Sequence, residues 1–229
     1  MVIKSFALFG QRLASWLDQC CVCCQQPSSG LLCPACDALL EPIGGHCRCC
    51  AREVGGANIT CGACLRRPSA VDRVYLAYRY RTPLRELVLK AKYGRDRGAL
   101  EVLKQLVLHA WDDEIACGVI VPMPMAKRRL AERGFNQTHF LAQALANYAQ
   151  LPMAKTLLTK ITRPPQSLLK TDAERRRNIK GAFFATVAVE GHVILVDDVV
   201  TSGATAQEAA KVLKEAGATL VSLVAIAAR

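Results

Sequence analysis

The sequence predicts an α/β protein, a parallel sheet flanked by helices and preceded by a small cysteine-rich module. Three observations carry this expectation. Val193 to Val196 and Thr219 to Ile226 are nearly continuous aliphatic runs, the pattern of strands buried on both faces of a parallel sheet. Between them Ala209, Val212, Leu213 and Ala216 keep helical spacing, and Gly217 follows as a left-handed cap, so the repeating unit is strand–helix–strand. Eleven of the twelve cysteines crowd between Cys20 and Cys64, ahead of any such unit.

With 229 residues the chain can hold one medium α/β domain and a small appendage. A hydrophobic fraction of 52% excludes a mainly disordered protein. No run of about 18 apolar residues occurs, so no membrane span is expected. In the first segment, 1–19, Phe6, Phe9, Leu13, Trp16 and Leu17 form an amphipathic helical stripe. Gly10, Gln11 and Arg12 interrupt it and no small-residue cleavage site follows, which argues against a secretion signal. The stripe is expected to pack on the protein, and the protein to be cytoplasmic. A formal charge of +11 favours phosphorylated or polyanionic partners without choosing between nucleic acid and a small phosphate ester.

The second segment, 20–68, contains four Cys-x-x-Cys pairs: Cys21/Cys24, Cys33/Cys36, Cys47/Cys50 and Cys61/Cys64. A two-residue spacing lets both thiolates of a knuckle face one ion, and two knuckles complete a tetrahedral site. Four knuckles suffice for two zinc ions; sequential and interleaved pairings both satisfy the spacing. The intervening loops carry Pro27, Gly30, Pro34, Gly44, Gly45, Gly55 and Gly56 with little core-forming sequence, so the segment needs metal to fold. In a reducing compartment zinc is expected over disulfides. Cys20, Cys23 and Cys49 are spare thiols, and His46 is a weaker alternative ligand.

The third segment, 69–229, opens after Arg66-Arg67-Pro68-Ser69 with an alternating strand, Val74 to Arg81. Thr82-Pro83 then starts a helix with Leu84, Leu87, Val88 and Ala91 on one face, ending in a small basic loop, Lys90 to Asp96. A second helix over about Ala99 to Ala110 leads to a buried strand, Gly118 to Pro122. Next comes a loop carrying Lys127, Arg128, Arg129 and Arg133, and a helix with Phe140, Leu141, Ala144, Leu145 and Tyr148 on its face. Such a loop lies at the carboxyl edge of a parallel sheet, where ligands collect, and its cations suit a diphosphate. Lys155 to Lys180 is strongly basic and contains Pro164-Pro165, which fits a loop able to close over a reactive site.

The richest chemistry follows the strand at 193–196. Asp197 and Asp198 close that strand, and a short loop, Thr201-Ser202-Gly203-Ala204-Thr205, leads into the helix. Small residues there let backbone N–H groups approach a phosphate, and the helix N-terminus adds partial positive charge. The adjacent acids can accept hydrogen bonds from two vicinal sugar hydroxyls. The set suits a ribose 5-phosphate. Neither a Gly-Lys-Ser/Thr phosphate loop nor a Gly-x-Gly-x-x-Gly fingerprint occurs.

The strand with Asp-Asp-Val-Val-Thr-Ser-Gly closely resembles the phosphoribosyl diphosphate (PRPP) signature of type I phosphoribosyltransferases. The cysteine knuckles, Arg-Gly-Phe-Asn-Gln at Arg133 to Gln137, Arg163-x-x-Gln166 with Arg177-Asn178, and the acidic motif occur in an order that resembles the ComF/GntX family over essentially the whole chain. The resemblance implies a type I phosphoribosyltransferase-like sheet with a zinc-ribbon domain in front. It implies that Asp197 and Asp198 bind ribose and Thr201, Ser202, Gly203, Ala204 and Thr205 bind the 5-phosphate. Members of this family are associated with natural competence or with use of external DNA, which implies single-stranded DNA and DNA-uptake or processing proteins as partners.

The leading expectation is therefore a PRPP-binding protein with magnesium-dependent phosphoribosyl transfer, its diphosphate held by Lys127, Arg133, Arg163 and Arg177. The rival is a non-catalytic adaptor that binds single-stranded DNA and keeps the PRPP fold. A third reading takes the Cys-x-x-Cys pairs as redox centres.

Overall fold

A computed structural model describes residues 19–56, 59–161 and 178–229. The stripe at 1–18 and the positions Arg163, Gln166 and Arg177 lie outside the described residues. The described strands are β1 (Arg73–Arg79), β2 (Val119–Pro122), β3 (Leu158–Lys160), β4 (Phe183–Ala185), β5 (His192–Val200) and β6 (Leu220–Ala228). The helices are α1 (Pro34–Asp37), α2 (Gly62–Arg66), α3 (Leu84–Tyr93), α4 (Arg97–Leu106), α5 (Lys127–Arg133), α6 (Gln137–Ala149) and α7 (Ala204–Glu215), with a 3-10 turn at Val107–Ala110.

β1, β6, β5 and β2 pair in that order, all parallel, and β3 and β4 form a separate antiparallel pair. The aliphatic runs explain the layers. Along β5, Val193 and Leu195 face one apolar cluster with α7, while Ile194 and Val196 face the other with α3, α4 and α6. β6 divides the same way, with Leu223 and Ala225 on the α7 side and Val224 and Ile226 on the opposite side. Both faces are covered, as a parallel sheet requires.

Helix ends follow local chemistry. The Asp96 carboxylate caps α4 by accepting the Ala99 N–H at 3.0 Å. α7 ends as expected at Gly217, whose φ is +113°, with Ala218 N–H bonded to Leu213 and Gly217 N–H to Lys214. A Cβ at Gly217 would lie 2.6 Å from the Val189 carbonyl oxygen. Gly217→Ala is therefore expected to cost about 2 kcal/mol and lower the melting temperature by roughly 4–8 °C. Scanning calorimetry checks this; an unchanged midpoint would mean that the turn absorbs the methyl group.

Four expectations are corrected. β5 does not stop at the acidic pair but pairs with β6 through Val200, opposite Ala228. Its partner strand supplies the hydrogen bonds that carry it past two carboxylates. Ala204 and Thr205 accordingly belong to α7 and not to the preceding turn. The cationic loop is the helix α5, closed by left-handed Gly134 (φ +86°) and supported by Arg128–Glu132 at 3.0 Å. Finally, α6 buries Leu141, Ala142, Leu145 and Ala146, leaving Phe140 and Tyr148 exposed. Apolar residues at 140–142, 144–146, 148 and 149 spread around more than one face of the helix, so spacing alone does not declare the inner one; the sheet it packs on selects it.

The cysteine-rich module leans on β1. Ile43 donates its N–H to Ala77 at 2.9 Å and Arg79 donates to Glu41 at 2.8 Å, so the module covers what would be an open sheet edge.

Candidate functional site

The carboxyl end of β5 gathers charges from distant parts of the chain. Lys92, on the last turn of α3, reaches Asp198 with Nζ 2.6 Å from Oδ2. The Asp198 side chain is only 9% exposed. Burial disfavours charge on Lys92, but the carboxylates of Asp198 and Asp197 outweigh it and hold the ammonium above its ordinary range. Asp197 keeps part of its surface open while its carboxyl group is surrounded by protein. Burial, followed by the charge of Asp198, raises it to about 7, with Lys92 pulling the other way. Asp197 Oδ1 accepts the Asp198 N–H at 2.9 Å and Asp198 Oδ1 accepts the Val199 N–H at 2.7 Å. The two acids thus divide their tasks: Asp198 is tied to Lys92 and Asp197 is the open one.

Lys160 closes the other flank. It ends β3, its ammonium lies 4.9 Å from the centre of the Phe183 ring, and burial lowers its pKa, with Asp197 opposing and Arg129 adding to the shift. Tyr93, next to Lys92, carries the Arg133 guanidinium 5.2 Å above its ring, and Arg133 donates to Gln137 Oε1 at 2.8 Å. The structure therefore brings Arg133 beside the α3 end that supplies Lys92. Lys127 is exposed at the start of α5.

Ahead of α7, Thr201, Ser202 and left-handed Gly203 (φ +69°) form the turn, with Thr201 exposed and Ala204 buried. Gly203 gives α7 no side-chain cap, and the Ala204 N–H makes only a long bond, 3.5 Å, to Ser202 Oγ. Two acids and the first amides of a helix thus sit in sequence along one strand end.

Lys92 and Lys160 were not singled out from sequence. For Lys92 a signal existed: it follows buried Val88 by four residues, which places a lysine on the inner stripe of α3. Lys160 had no such signal, because three-residue strands carry too little periodicity.

The cysteines form two groups by sequential pairing, Cys21, Cys24, Cys33 and Cys36, then Cys47, Cys50, Cys61 and Cys64, the sulfurs of each within 4.8 Å of one another. Cys24 and Cys33 sulfurs are 3.8 Å apart and Cys50 and Cys61 sulfurs 3.7 Å. Tetrahedral thiolates on zinc would stand about 3.8 Å apart, and a disulfide would need about 2.05 Å. Backbone N–H groups point at the ligand sulfurs: Cys33 N–H to Cys21 at 3.4 Å and Cys61 N–H to Cys47 at 3.2 Å. Burial raises the pKa of Cys21 and Cys47, but backbone N–H bonds, chiefly from Cys24 and Cys33 to one and from Cys61 and Cys49 to the other, outweigh it and bring both to about 6, while burial pushes Cys36, Cys50 and Cys64 up. Each group could hold a metal ion. Cys20, Cys23, Cys49 and His46 stand outside both; His46 instead contacts the Gly44 and Val74 carbonyls.

No protein-family model matches the chain. It is 30% identical over 213 residues to the DNA utilization protein YhgH of Salmonella typhi, covering 89% of this chain and 94% of that one. The chain belongs to the ComF/GntX family. Competence protein F of Haemophilus influenzae is 27% identical over 198 residues, covering 81% and 85% of the two chains. Competence protein ComFC of Bacillus subtilis is 30% identical over 196 residues, covering 82% and 74%. Among solved structures, the glutamine PRPP amidotransferase of B. subtilis has a TM-score of 0.35 at 22% identity, covering 54% of this chain and 25% of that one. Orotate phosphoribosyltransferase from Aeropyrum pernix has a TM-score of 0.34 at 17% identity, covering 58% and 73%. Both structural matches cover only part of the ComF/GntX chain. No helix among the described residues is long and apolar enough to cross a membrane.

Proposed function

We propose that this ComF/GntX protein binds PRPP at the carboxyl end of β5 and transfers its phosphoribosyl group with magnesium, in the service of DNA or nucleotide use. The observation that carries this reading is the acidic pair at the end of β5, Asp198 held by Lys92 beside the more open Asp197, shortly before the N-terminus of α7. Asp197 accepts the ribose hydroxyls, Asp198 keeps Lys92 in place, and Thr201 to Thr205 hold the 5-phosphate. Arg133, with Lys127, Arg163 and Arg177, meets the diphosphate. Magnesium suits the hard oxygen donors of this site and would neutralise charge on the departing diphosphate. The protein contributes fixed charges around the anomeric carbon and exclusion of water. The two cysteine groups hold structural zinc, in a reducing compartment such as the cytoplasm.

Calorimetric titration of PRPP with magnesium tests the reading: saturable binding is expected, and its absence would remove it. Because Asp197 must be ionised to accept the hydroxyls, affinity is expected to rise as pH goes from about 6 to about 8, with proton release on binding. Stability has the opposite sign. The folded chain holds this proton more tightly than the unfolded one, so the contribution of Asp197 favours folding at low pH and is lost as pH rises from about 4 to about 7. Titrations in buffers of different ionisation enthalpy measure the released proton.

A second reading, a single-stranded-DNA adaptor, is favoured by a different feature. A groove of about 870 Å³ between the cysteine-rich module and β1 is lined by Arg48, Arg73, His46, His109, Tyr75 and Trp111, together with Asp112 and Glu114. Cations and aromatic rings together suit unpaired nucleotides. DNA affinity that falls steeply with salt, without diphosphate release from PRPP, would favour it.

A further inference from the structure

The second cysteine group is joined directly to the phosphate-binding turn. Gln207, in the first turn of α7, donates through Nε2 to the Cys49 carbonyl at 3.2 Å and to Ser69 Oγ at 2.6 Å. Its Oε1 accepts the Ala70 N–H at 2.9 Å, and Ser69 Oγ itself donates to the Cys49 carbonyl at 3.0 Å. Cys49 lies inside the Cys47–Cys50 knuckle, so one side chain ties that knuckle to the helix whose amides would face the phosphate. Knuckle and turn also touch without it. A Cβ placed on Gly203 would stand 3.6 Å from the Cys50 carbonyl oxygen, and Ala51 is buried in the same apolar cluster as Ala204 and Ala206. The first cysteine group contacts a different place: Lys90 of α3 donates to the Val22 carbonyl.

A cradle of backbone amides works only when its N–H groups are held within a fraction of an ångström of their productive positions. A Cys-x-x-Cys knuckle keeps its shape through the metal that joins it to its partner knuckle. Whatever fixes the Cys47–Cys50 backbone therefore fixes the platform on which Thr201 to Thr205 rest.

We propose that Gln207 is a positioning residue that makes the 5-phosphate cradle depend on metal in the Cys47, Cys50, Cys61 and Cys64 site, so that affinity for sugar 5-phosphates follows occupancy of that one site. The consequence for ligand affinity rests on the PRPP reading; the mechanical coupling does not. Gln207 touches no substrate in this account and acts through the backbone it holds.

Amide hydrogen exchange of the full chain tests it, on protein of measured zinc content, comparing wild type, Gln207→Leu, Cys61→Ser/Cys64→Ser and Cys33→Ser/Cys36→Ser. Gln207→Leu should keep its metal and the protection of β5 and β6, while exchange at 201–208 accelerates roughly 10-fold. Cys61→Ser/Cys64→Ser should lose the metal of that site and accelerate exchange at 201–208 likewise, and Cys33→Ser/Cys36→Ser should leave 201–208 as in wild type. Calorimetry then adds a ligand split that general loosening would not produce: Gln207→Leu weakens ribose 5-phosphate and PRPP alike and leaves magnesium diphosphate unchanged. Exchange at 201–208 that is unchanged in both Gln207→Leu and Cys61→Ser/Cys64→Ser, or changed equally by loss of either cysteine group, overturns the proposal. A wild type that binds no PRPP removes the functional reading alone, because the exchange measurements still decide the coupling.

Discussion

Asp197→Asn is expected to weaken magnesium-PRPP binding by about 100-fold or more while leaving the protein folded. A carboxylate that accepts ribose hydroxyls contributes about 1.5–3 kcal/mol per charge-assisted hydrogen bond, and asparagine halves the acceptors and removes the charge. The fold survives because Lys92 keeps its partner, Asp198, at 2.6 Å. Asp198→Asn should behave differently. It leaves the Lys92 ammonium, whose side chain is 22% exposed, without its carboxylate. Breaking such a pair from one side costs about 3–5 kcal/mol. That variant should lose stability as well as binding, and adding Lys92→Met should restore much of the stability without restoring the ligand. Calorimetric titrations beside melting curves separate the two losses. Full affinity in Asp197→Asn would take the ribose away from this pair.

Removing metal with a strong chelator is expected to melt residues 20–66 and leave the sheet folded. The module has little else to hold it. Apart from the cysteines, its buried apolar side chains among the described residues are Val22, Leu40 and Ala51, and its described helices span four and five residues. A structural zinc contributes about 10 kcal/mol or more to such a unit, far beyond what that core could supply. The sheet carries its own core on both faces. Exchange protection should therefore vanish across 20–66 and persist in β5 and β6, with two metal ions per chain found in protein purified without chelator. A chain free of metal, still protected at the knuckles, would sink the zinc assignment. Sensitivity to reductant without sensitivity to chelator would favour the redox reading instead.

Legibility varied with how locally each feature is encoded. β5 and β6 were plain because strands buried on both faces are written as uninterrupted aliphatics, and the Gly217 cap because a single residue type serves that backbone. The knuckles were plain because ligand spacing is a two-residue property. α5 was hidden, since a helix of Lys-Arg-Arg-Leu-Ala-Glu-Arg has no apolar stripe and is held by a cap and an ion pair. β3 and β4 were hidden because each is three residues long and more than twenty residues of sequence separate them. Lys92 was read with the basic residues after α3, although its spacing from Val88 put it on the buried side.

Residue order alone determined a parallel α/β sheet, an acidic pair before a turn of small residues, and four Cys-x-x-Cys knuckles. Each depends on neighbours within about one turn or strand, where propensity and periodicity act. Tertiary structure alone decided that knuckles pair in sequential order, that Lys92 reaches Asp198 across 106 residues, and that Gln207 ties the Cys47–Cys50 knuckle to the first turn of α7. Those are contacts between surfaces brought together by folding. No periodicity records them, because charge and hydrogen-bond complementarity between distant segments leaves the local pattern of each unchanged.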